Sequence, residues 1–206
     1  MIKVKLLNGN AQEFCTESNE VNFIDVLKSI DPQLLNSVVA VKLNGEITDL
    51  RTTITTDCDI ELVTTDSKEA LHILRHTTTH IMAEAVTHLF PEAKVTIGPA
   101  TETGFFYDFE CAPFSKEDLE KIEKEMKKII KSNPRIERKV VSRNEAYELM
   151  KAKNEPYKLE LIDAIPEGET ITLYSQDDFV DLCMGPHLLN TKMIKGFKWL
   201  SNSTAY

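Results

Sequence analysis

Two pairs of side chains, each spaced by four residues, hold the reactive chemistry of this sequence: His76 and His80 in His-Thr-Thr-Thr-His, and Cys183 and His187 in Cys-Met-Gly-Pro-His. Imidazole and thiolate ligate soft metals, and near neutral pH they also act as base, acid or nucleophile. A spacing of four on a helix stacks two imidazoles one turn apart on one side, as a metal or a bound substrate requires. Neither pair is specific by itself, because a buried Cys is commonly inert. Together they leave two readings open. One is a Zn²⁺ site with three or four of these ligands; the other is a metal-free hydrolytic site in which histidines carry protons. The Glu of a His-Glu-x-x-His metalloprotease and the Gly-x-Ser-x-Gly nucleophile elbow are both absent.

The first pair must sit on a helix. Asp66-Ser-Lys-Glu69 has the form of a capping box, and Leu71, Leu74, Thr78, Ile81, Met82, Ala85 and Leu89 form one stripe before Pro91. At 100° per residue, His76 and His80 fall roughly opposite that stripe, so the pattern predicts that they face solvent or a cleft. Beyond it, Lys94 to Ile97 and Phe105 to Phe109 read as strands around Gly98-Pro99. Ser115 and Ser142 each open a capped helix, the first with Leu119, Ile122, Met126, Ile129 and Ile130 inward and an end before Pro134. Arg135 to Val141, Thr170 to Tyr174 and Phe179 to Leu182 read as extended, and Gly185-Pro186 turns the chain just before His187.

Residues 1–64 have a different character. Ile2 to Leu6 alternates at period two, Asn8-Gly9 and Asn44-Gly45 are turn signals, and Val38 to Leu43 and Ile60 to Val63 are further strands. Phe23, Val26, Leu27 and Ile30 share one helical face. This order suggests a small β-grasp, ubiquitin-like module, with no His and no Gly-rich phosphate loop. Cys15 and Cys58 read as small buried or edge residues. The fold class expected is α+β: this module, then a larger mixed α+β domain over 65–206.

The 206 residues are 42% apolar, enough for one large core or two small ones. No apolar run approaches the ~18 residues of a membrane span, the start does not read as a signal peptide, and the four cysteines are scattered. A cytoplasmic protein without membrane partners is expected. The net charge of −9 is uneven: residues 1–65 hold five Lys/Arg against ten Asp/Glu, whereas 116–153 hold twelve against eight. A basic face for phosphates can hide within an acidic total, although a Lys/Glu-rich helix can equally be a solvated face.

Arg75-His-Thr-Thr-Thr-His80, Ile97-Gly-Pro99, Gly104-Phe-Phe-Tyr-Asp108, Asp181-Leu-Cys-Met-Gly-Pro-His187 and Ser203-Thr-Ala-Tyr206 occur in this order. They resemble the amino-terminal half of bacterial threonyl-tRNA synthetases, and residues 1–64 resemble the TGS module that precedes the editing domain there. The resemblance implies post-transfer proofreading: hydrolysis of the ester of seryl-tRNA(Thr), without aminoacylation by these residues. Serine lacks one methyl of threonine, and a methyl is worth only about 1–3 kcal/mol of discrimination, so a second site that admits the smaller side chain is needed.

What the resemblance implies for single residues is specific. His76, His80, Cys183 and His187 form the core of the site, with His76 deprotonating water or relaying protons through the terminal ribose. Cys183 orients a second water or assists the leaving 3′ oxygen. Asp181 holds the substrate's ammonium or fixes a histidine tautomer, and Lys158 offsets the oxyanion or holds the substrate. Tyr107, Gly98 and Pro99 lie on the substrate side, with Tyr107 against the terminal adenosine. No metal is required for editing; ATP and Zn are implied only for an aminoacylation domain that these residues do not include. The partner is the tRNA(Thr) acceptor end carrying serine, with residues 116–153 and Lys192, Lys195 and Lys198 around Phe197 and Trp199 as candidate backbone contacts. These residues by themselves are expected to be monomeric, the parent enzyme a homodimer. Met184, where relatives often carry a basic residue, and Leu189, where Pro is common, depart from the pattern. A zinc-dependent deacylase of the alanyl-editing type and a non-catalytic tRNA-docking module are the alternatives.

Overall fold

Ile2, Val4 and Leu6 alternate with Lys3 and Lys5, and only the aliphatic members are buried, which makes β1 (Ile2–Leu6) a half-buried strand. The computed structural model describes residues 1–8 and 12–203. The Asn8-Gly9 turn therefore lies partly outside the described residues, as does most of the closing Ser203–Tyr206 motif. β1 pairs antiparallel with β2 (Glu13–Thr16). After β3 (Val21–Asn22), the Asn22 side chain accepts from the Asp25 N–H and starts α1 (Phe23–Ile30). A 3₁₀ turn over Pro32–Asn36 leads to β4 (Val38–Leu43), and Asn44-Gly45, both at positive φ, turn the chain into β5 (Glu46–Thr48). β6 (Thr53–Ile54) pairs with β3, and β7 (Cys58–Thr64) completes a five-stranded sheet of order β2-β1-β7-β4-β5.

In that sheet β1 and β7 run parallel and the other pairs antiparallel. Phe23, Val26 and Leu27 of α1 pack on Ile2, Val4, Val38, Val41 and Ile60, each buried side chain being worth about 1.5–3 kcal/mol. Burial, then Asp59 and Asp57, pushes the Cys58 thiol up and away from thiolate chemistry.

Two compact units divide the chain: Met1–Leu74 with Gly185–Leu189, and Arg75–Met184 with Asn190–Tyr206. Helix α2 (Lys68–Leu89) starts in the first and continues into the second. Its cap is Ser67, whose hydroxyl accepts from the Ala70 N–H, and not Asp66. The Asp66 carboxylate instead accepts from the Thr64 hydroxyl at 2.6 Å, and Glu69 pairs with Lys42 at 2.7 Å, so no Asp66–Glu69 box forms. The predicted one-sided stripe also fails. Residues 77–86 are buried on every side, whereas Leu71 is exposed, as expected of a central helix rather than a surface one.

In the second unit, the expected strands around Gly98-Pro99 shrink to the two-residue pair β8 (Lys94–Val95) and β9 (Phe109–Glu110), with a bridge between Ala100 and Phe105. α3 (Lys116–Ser132) opens on the Ser115–Asp118 capping box and buries Ile122, Met126 and Ile129. β10 (Glu137–Val141) leads to α4 (Arg143–Ala152), opened by the Ser142–Glu145 box. α5 (Pro156–Ala164), which the sequence pattern did not announce, comes next with Pro at its first turn. β11 (Ile171–Gln176) and β12 (Phe179–Leu182) form a hairpin, and the antiparallel sheet runs β10-β11-β12.

One face of that sheet, with Ile171, Leu173 and Leu182, packs on Ala146, Met150 and Ile162 of α4 and α5. The other face presents Thr172, Tyr174, Gln176, Phe179 and Asp181, because side chains alternate along a strand and Tyr174 pairs with Asp181 and Gln176 with Phe179. The architecture is mixed α+β, with five α-helices among the described residues. No helix among these residues is long and apolar enough to cross a membrane.

Candidate functional site

The second unit sets α2 against the hairpin face just described. Side chains four apart on a helix form a row, and those two apart on a strand share a face. The two rows meet. His76 Nε2 lies 3.3 Å from Cys183 Sγ, and His80 Nε2 lies 3.6 Å from Asp181 Oδ2. His76 and His80 are edge-to-face at 5.6 Å between ring centroids, and His80 packs edge-on against Phe179. Cys183 continues the strand through its N–H, which donates to the Thr172 carbonyl, while the Thr172 hydroxyl donates to the Cys183 carbonyl.

Asp181 is the electrostatic centre. It is buried, and it meets Lys158 Nζ at 2.6 Å on Oδ1 and the Tyr107 hydroxyl, donating at 2.9 Å, on Oδ2. Lys158 Nζ also donates to the Tyr107 oxygen at 3.2 Å. Burial by itself would raise the Asp181 carboxyl, but the Lys158 charge, then His80, and the hydrogen bonds from Lys158 and Tyr107 hold it below the usual carboxylate range. Burial pushes the Tyr107 phenol far up, reinforced by Asp181, so it remains a donor. His80 is pushed down to about 3 by burial, only partly offset by Asp181 and reinforced by His76 and Lys158. The His80–Asp181 contact is therefore between a neutral imidazole and a carboxylate whose charge is matched by Lys158.

Placement of Tyr107 depends on Gly98. A Cβ at Gly98 would stand 2.1 Å from a Tyr107 ring carbon, so only glycine lets the ring lie against this backbone. The two segments are tied by the Asp108 N–H donating to the Ile97 carbonyl and the Phe106 N–H to the Pro99 carbonyl. Phe109 stacks on Tyr107 at 4.9 Å. Arg75 Nη1, from the first motif, donates to the Thr101 and Glu102 carbonyls of the same loop.

Of the residues singled out from sequence, His76, His80, Lys158, Asp181, Cys183, Tyr107, Gly98 and Pro99 all belong to the second unit. His187 packs in the first. Its N–H donates to Asp49 Oδ2 at 3.1 Å, and Arg51, paired with Asp49 at 3.0 Å, donates to the His187 and Leu188 carbonyls. Leu189, at its departure from the family pattern, packs on the first unit's core, and Met184 is exposed. Of the two outcomes expected from helix phase, solvent or a cleft, solvent fails for His80, which is buried where α2 is enclosed, whereas His76 is half-buried. In α3, Lys121, Lys127 and Lys128 pair with Asp118, Glu123 and Glu125, which favours the solvated-face reading for those three lysines.

His76, His80 and Cys183 each place a ligand atom within 4.8 Å of the others, and these N, N and S donors fit a soft divalent cation such as Zn²⁺. They equally form a compact acid–base cluster beside a buried ammonium. The row does not stop there. Glu84 and His88 continue it at the same interval, with Glu84 accepting from Gln176 at 2.6 Å and His88 Nε2 2.9 Å from Asp178 Oδ1. Sequence reasoning stopped at His80, although the four-residue interval was there to extend.

Residues 171–204, the hairpin and the segment after it, match the family model described as threonyl and alanyl tRNA synthetase second additional domain. Over its whole length the chain is 48% identical to the threonine--tRNA ligase of Acetivibrio thermocellus, of which it covers 32%. It is 49% identical to that of Clostridioides difficile, again over 32% of the relative, and 48% identical to those of Staphylococcus aureus, over 31%. The chain is a homologue of threonine--tRNA ligases along all of its residues, and it spans about a third of the length of the curated relatives it matches.

Proposed function

We propose that residues 65–206 form an editing domain that hydrolyses the ester of seryl-tRNA(Thr), and that residues 1–64 form a TGS β-grasp module. The observation that supports the hydrolytic reading is the His76–Cys183 contact of 3.3 Å, one helical turn from a neutral His80 and the Lys158–Asp181–Tyr107 network. The sheet order β2-β1-β7-β4-β5 with α1 across it supports the β-grasp reading.

In the reaction, a water oxygen attacks the ester carbonyl carbon while His76 accepts the water's proton. The Lys158 ammonium offsets charge near the tetrahedral oxyanion, and Tyr107 and Asp181 fix its position. As the carbon–oxygen bond breaks, the 3′ oxygen takes a proton, assisted by Cys183, and free serine and intact tRNA leave. No acyl-enzyme forms. The resemblance assigns His187 to this chemistry as well. A pocket sized for serine rejects threonine's added methyl by steric exclusion, which can discriminate more strongly than the binding of a methyl does. The partner is the acceptor end of tRNA(Thr), in the cytoplasm.

A second reading, a zinc-dependent deacylase, is favoured by the 4.8 Å grouping of His76, His80 and Cys183. A bound Zn²⁺ would supply a Lewis acid; the residues holding it would include these three.

One experiment separates the readings: deacylation of seryl- and threonyl-tRNA(Thr) by the 206-residue chain, with and without prior chelation. Seryl-specific turnover that survives chelation, and that is lost in His76→Ala/Cys183→Ala, is expected. Activity lost on chelation and restored by Zn²⁺ would establish the second reading. Binding of tRNA with no turnover of either ester would reduce the domain to a docking module.

A further inference from the structure

Beyond His80, the ionisable row on α2 continues through Glu84 and His88, at the end of the hairpin away from Cys183. Glu84 is buried, and its two carboxylate oxygens are unequally satisfied. Oε2 accepts from Gln176 Nε2 at 2.6 Å, whereas Oε1 is buried with no hydrogen-bond partner among the described residues. An orphaned carboxylate oxygen in the interior is strongly disfavoured unless something positive meets it.

One turn further, His88 holds two carboxylates. Its Nε2 is 2.9 Å from Asp178 Oδ1, in the β11–β12 turn, and its Nδ1 is 3.4 Å from Glu125 Oε1 on α3. Glu84, His88 and Asp178 each place one ligand atom within 4.8 Å of the others. The nearby cations are engaged elsewhere: Lys128 on Glu125, and Lys153 on the Asp178 backbone carbonyl. The cluster thus combines an imidazole, two convergent carboxylates, an unsatisfied buried oxygen and a third carboxylate behind the ring.

We propose that Glu84, His88 and Asp178 bind a divalent transition-metal cation, Zn²⁺ or Mn²⁺ in type. One carboxylate oxygen from Glu84, His88 Nε2 and one from Asp178 would be the ligands, drawn in to about 2.0–2.2 Å. With Nε2 on the metal, Nδ1 would carry the proton and donate it to Glu125, 3.4 Å away, the carboxylate–histidine arrangement that fixes a ligating tautomer. The donor set is nitrogen and oxygen without sulfur, which distinguishes it chemically from the His76, His80 and Cys183 cluster. Because Glu84 and His88 lie on the helix that carries His76 and His80, and Asp178 on the hairpin that carries Asp181, the cation would clip together the two elements that position the candidate editing residues. The site does not depend on what reaction those residues perform.

The test uses the 206-residue chain bearing Cys183→Ser, which removes the sulfur ligand of the other cluster. Co²⁺ titration should give visible ligand-field bands with no thiolate charge-transfer band. Zn²⁺ should compete for the same site and raise the melting temperature. His88→Ala, a substitution at a partly exposed position, and Glu84→Gln, with its fold checked by circular dichroism, should each weaken binding by more than about tenfold. The absence of Co²⁺ and Zn²⁺ binding up to millimolar metal would overturn the proposal. So would binding unaffected by His88→Ala and Glu84→Gln, which would place the metal elsewhere.

Discussion

His76 Nε2 and Cys183 Sγ lie 3.3 Å apart although 107 positions separate them along the chain. The contact follows from two periods in register. Every fourth residue of α2 meets the face of the β11–β12 hairpin that holds Asp181 and Cys183, two residues apart. The same register that joins His76 to Cys183 joins Glu84 to Gln176.

If His76 is the proton acceptor, His76→Ala should slow single-turnover hydrolysis of seryl-tRNA(Thr) by about 10²- to 10⁴-fold, the usual contribution of a general base. Rapid-quench measurement reads this directly. A loss below about tenfold would move the role of base to another group.

The Lys158–Asp181 pair is buried, and both partners are 2–3% exposed. Lys158→Met leaves an unpaired buried carboxylate and should destabilise the second unit by about 3–5 kcal/mol. Lys158→Met/Asp181→Leu, which removes both charges, should recover much of that loss. Urea unfolding of the two variants side by side checks the sign; equal stability of single and double variants would contradict the pairing.

Gly98→Ala places a methyl where the Tyr107 ring stands, 2.1 Å from its nearest carbon. The ring must shift, which loosens its 2.9 Å hydrogen bond to Asp181. A destabilisation of about 1–3 kcal/mol is expected for such overpacking, together with lost deacylation. Gly98→Ala/Tyr107→Ala should restore stability toward that of Tyr107→Ala but leave activity low.

His80 has a folded pKa of about 3 against an ordinary 6.5, because burial disfavours its cation. The unfolded chain therefore binds more protons between these values. The stability linked to His80 is complete above pH 6.5 and falls as pH drops toward 3, by about 2 kcal/mol at pH 5. His80→Gln should flatten that part of the stability profile, which denaturant titrations at pH 5 and pH 7.5 would reveal.

Ser67→Ala should cost about 1 kcal/mol, the worth of a lost N-cap. Asp66→Ala, which removes only an exposed hydrogen bond to Thr64, should cost about 0.5 kcal/mol or less. Thermal melts of the two variants rank them; the reverse order would restore Asp66 as the cap.

Much of the fold was legible because it follows local rules. Period-two alternation marked β1, the Ser115 and Ser142 capping boxes marked α3 and α4, and Phe179 to Leu182 emerged as β12 with the expected bounds. Local rules fell short where packing decides. α5 has no clear apolar face of its own, so nothing in its sequence announced the helix that brings Lys158 to Asp181. The strands around Gly98-Pro99 shortened to Lys94–Val95 and Phe109–Glu110, although Thr96, Ile97 and Asp108 still exchange backbone hydrogen bonds.

The sequence alone determined which side chains could do chemistry and that His76, His80, Cys183 and His187 come as two four-residue pairs, since spacing and residue type are local properties. Only the tertiary structure decided their environment. Helix phase on α2 placed the histidine pair toward solvent or a cleft; His76 is half-buried, but His80 lies where the helix is covered on all sides, and burial makes it neutral. Charge state and contact depend on what a distant strand brings near, and that information is in the packing of α2 against the hairpin.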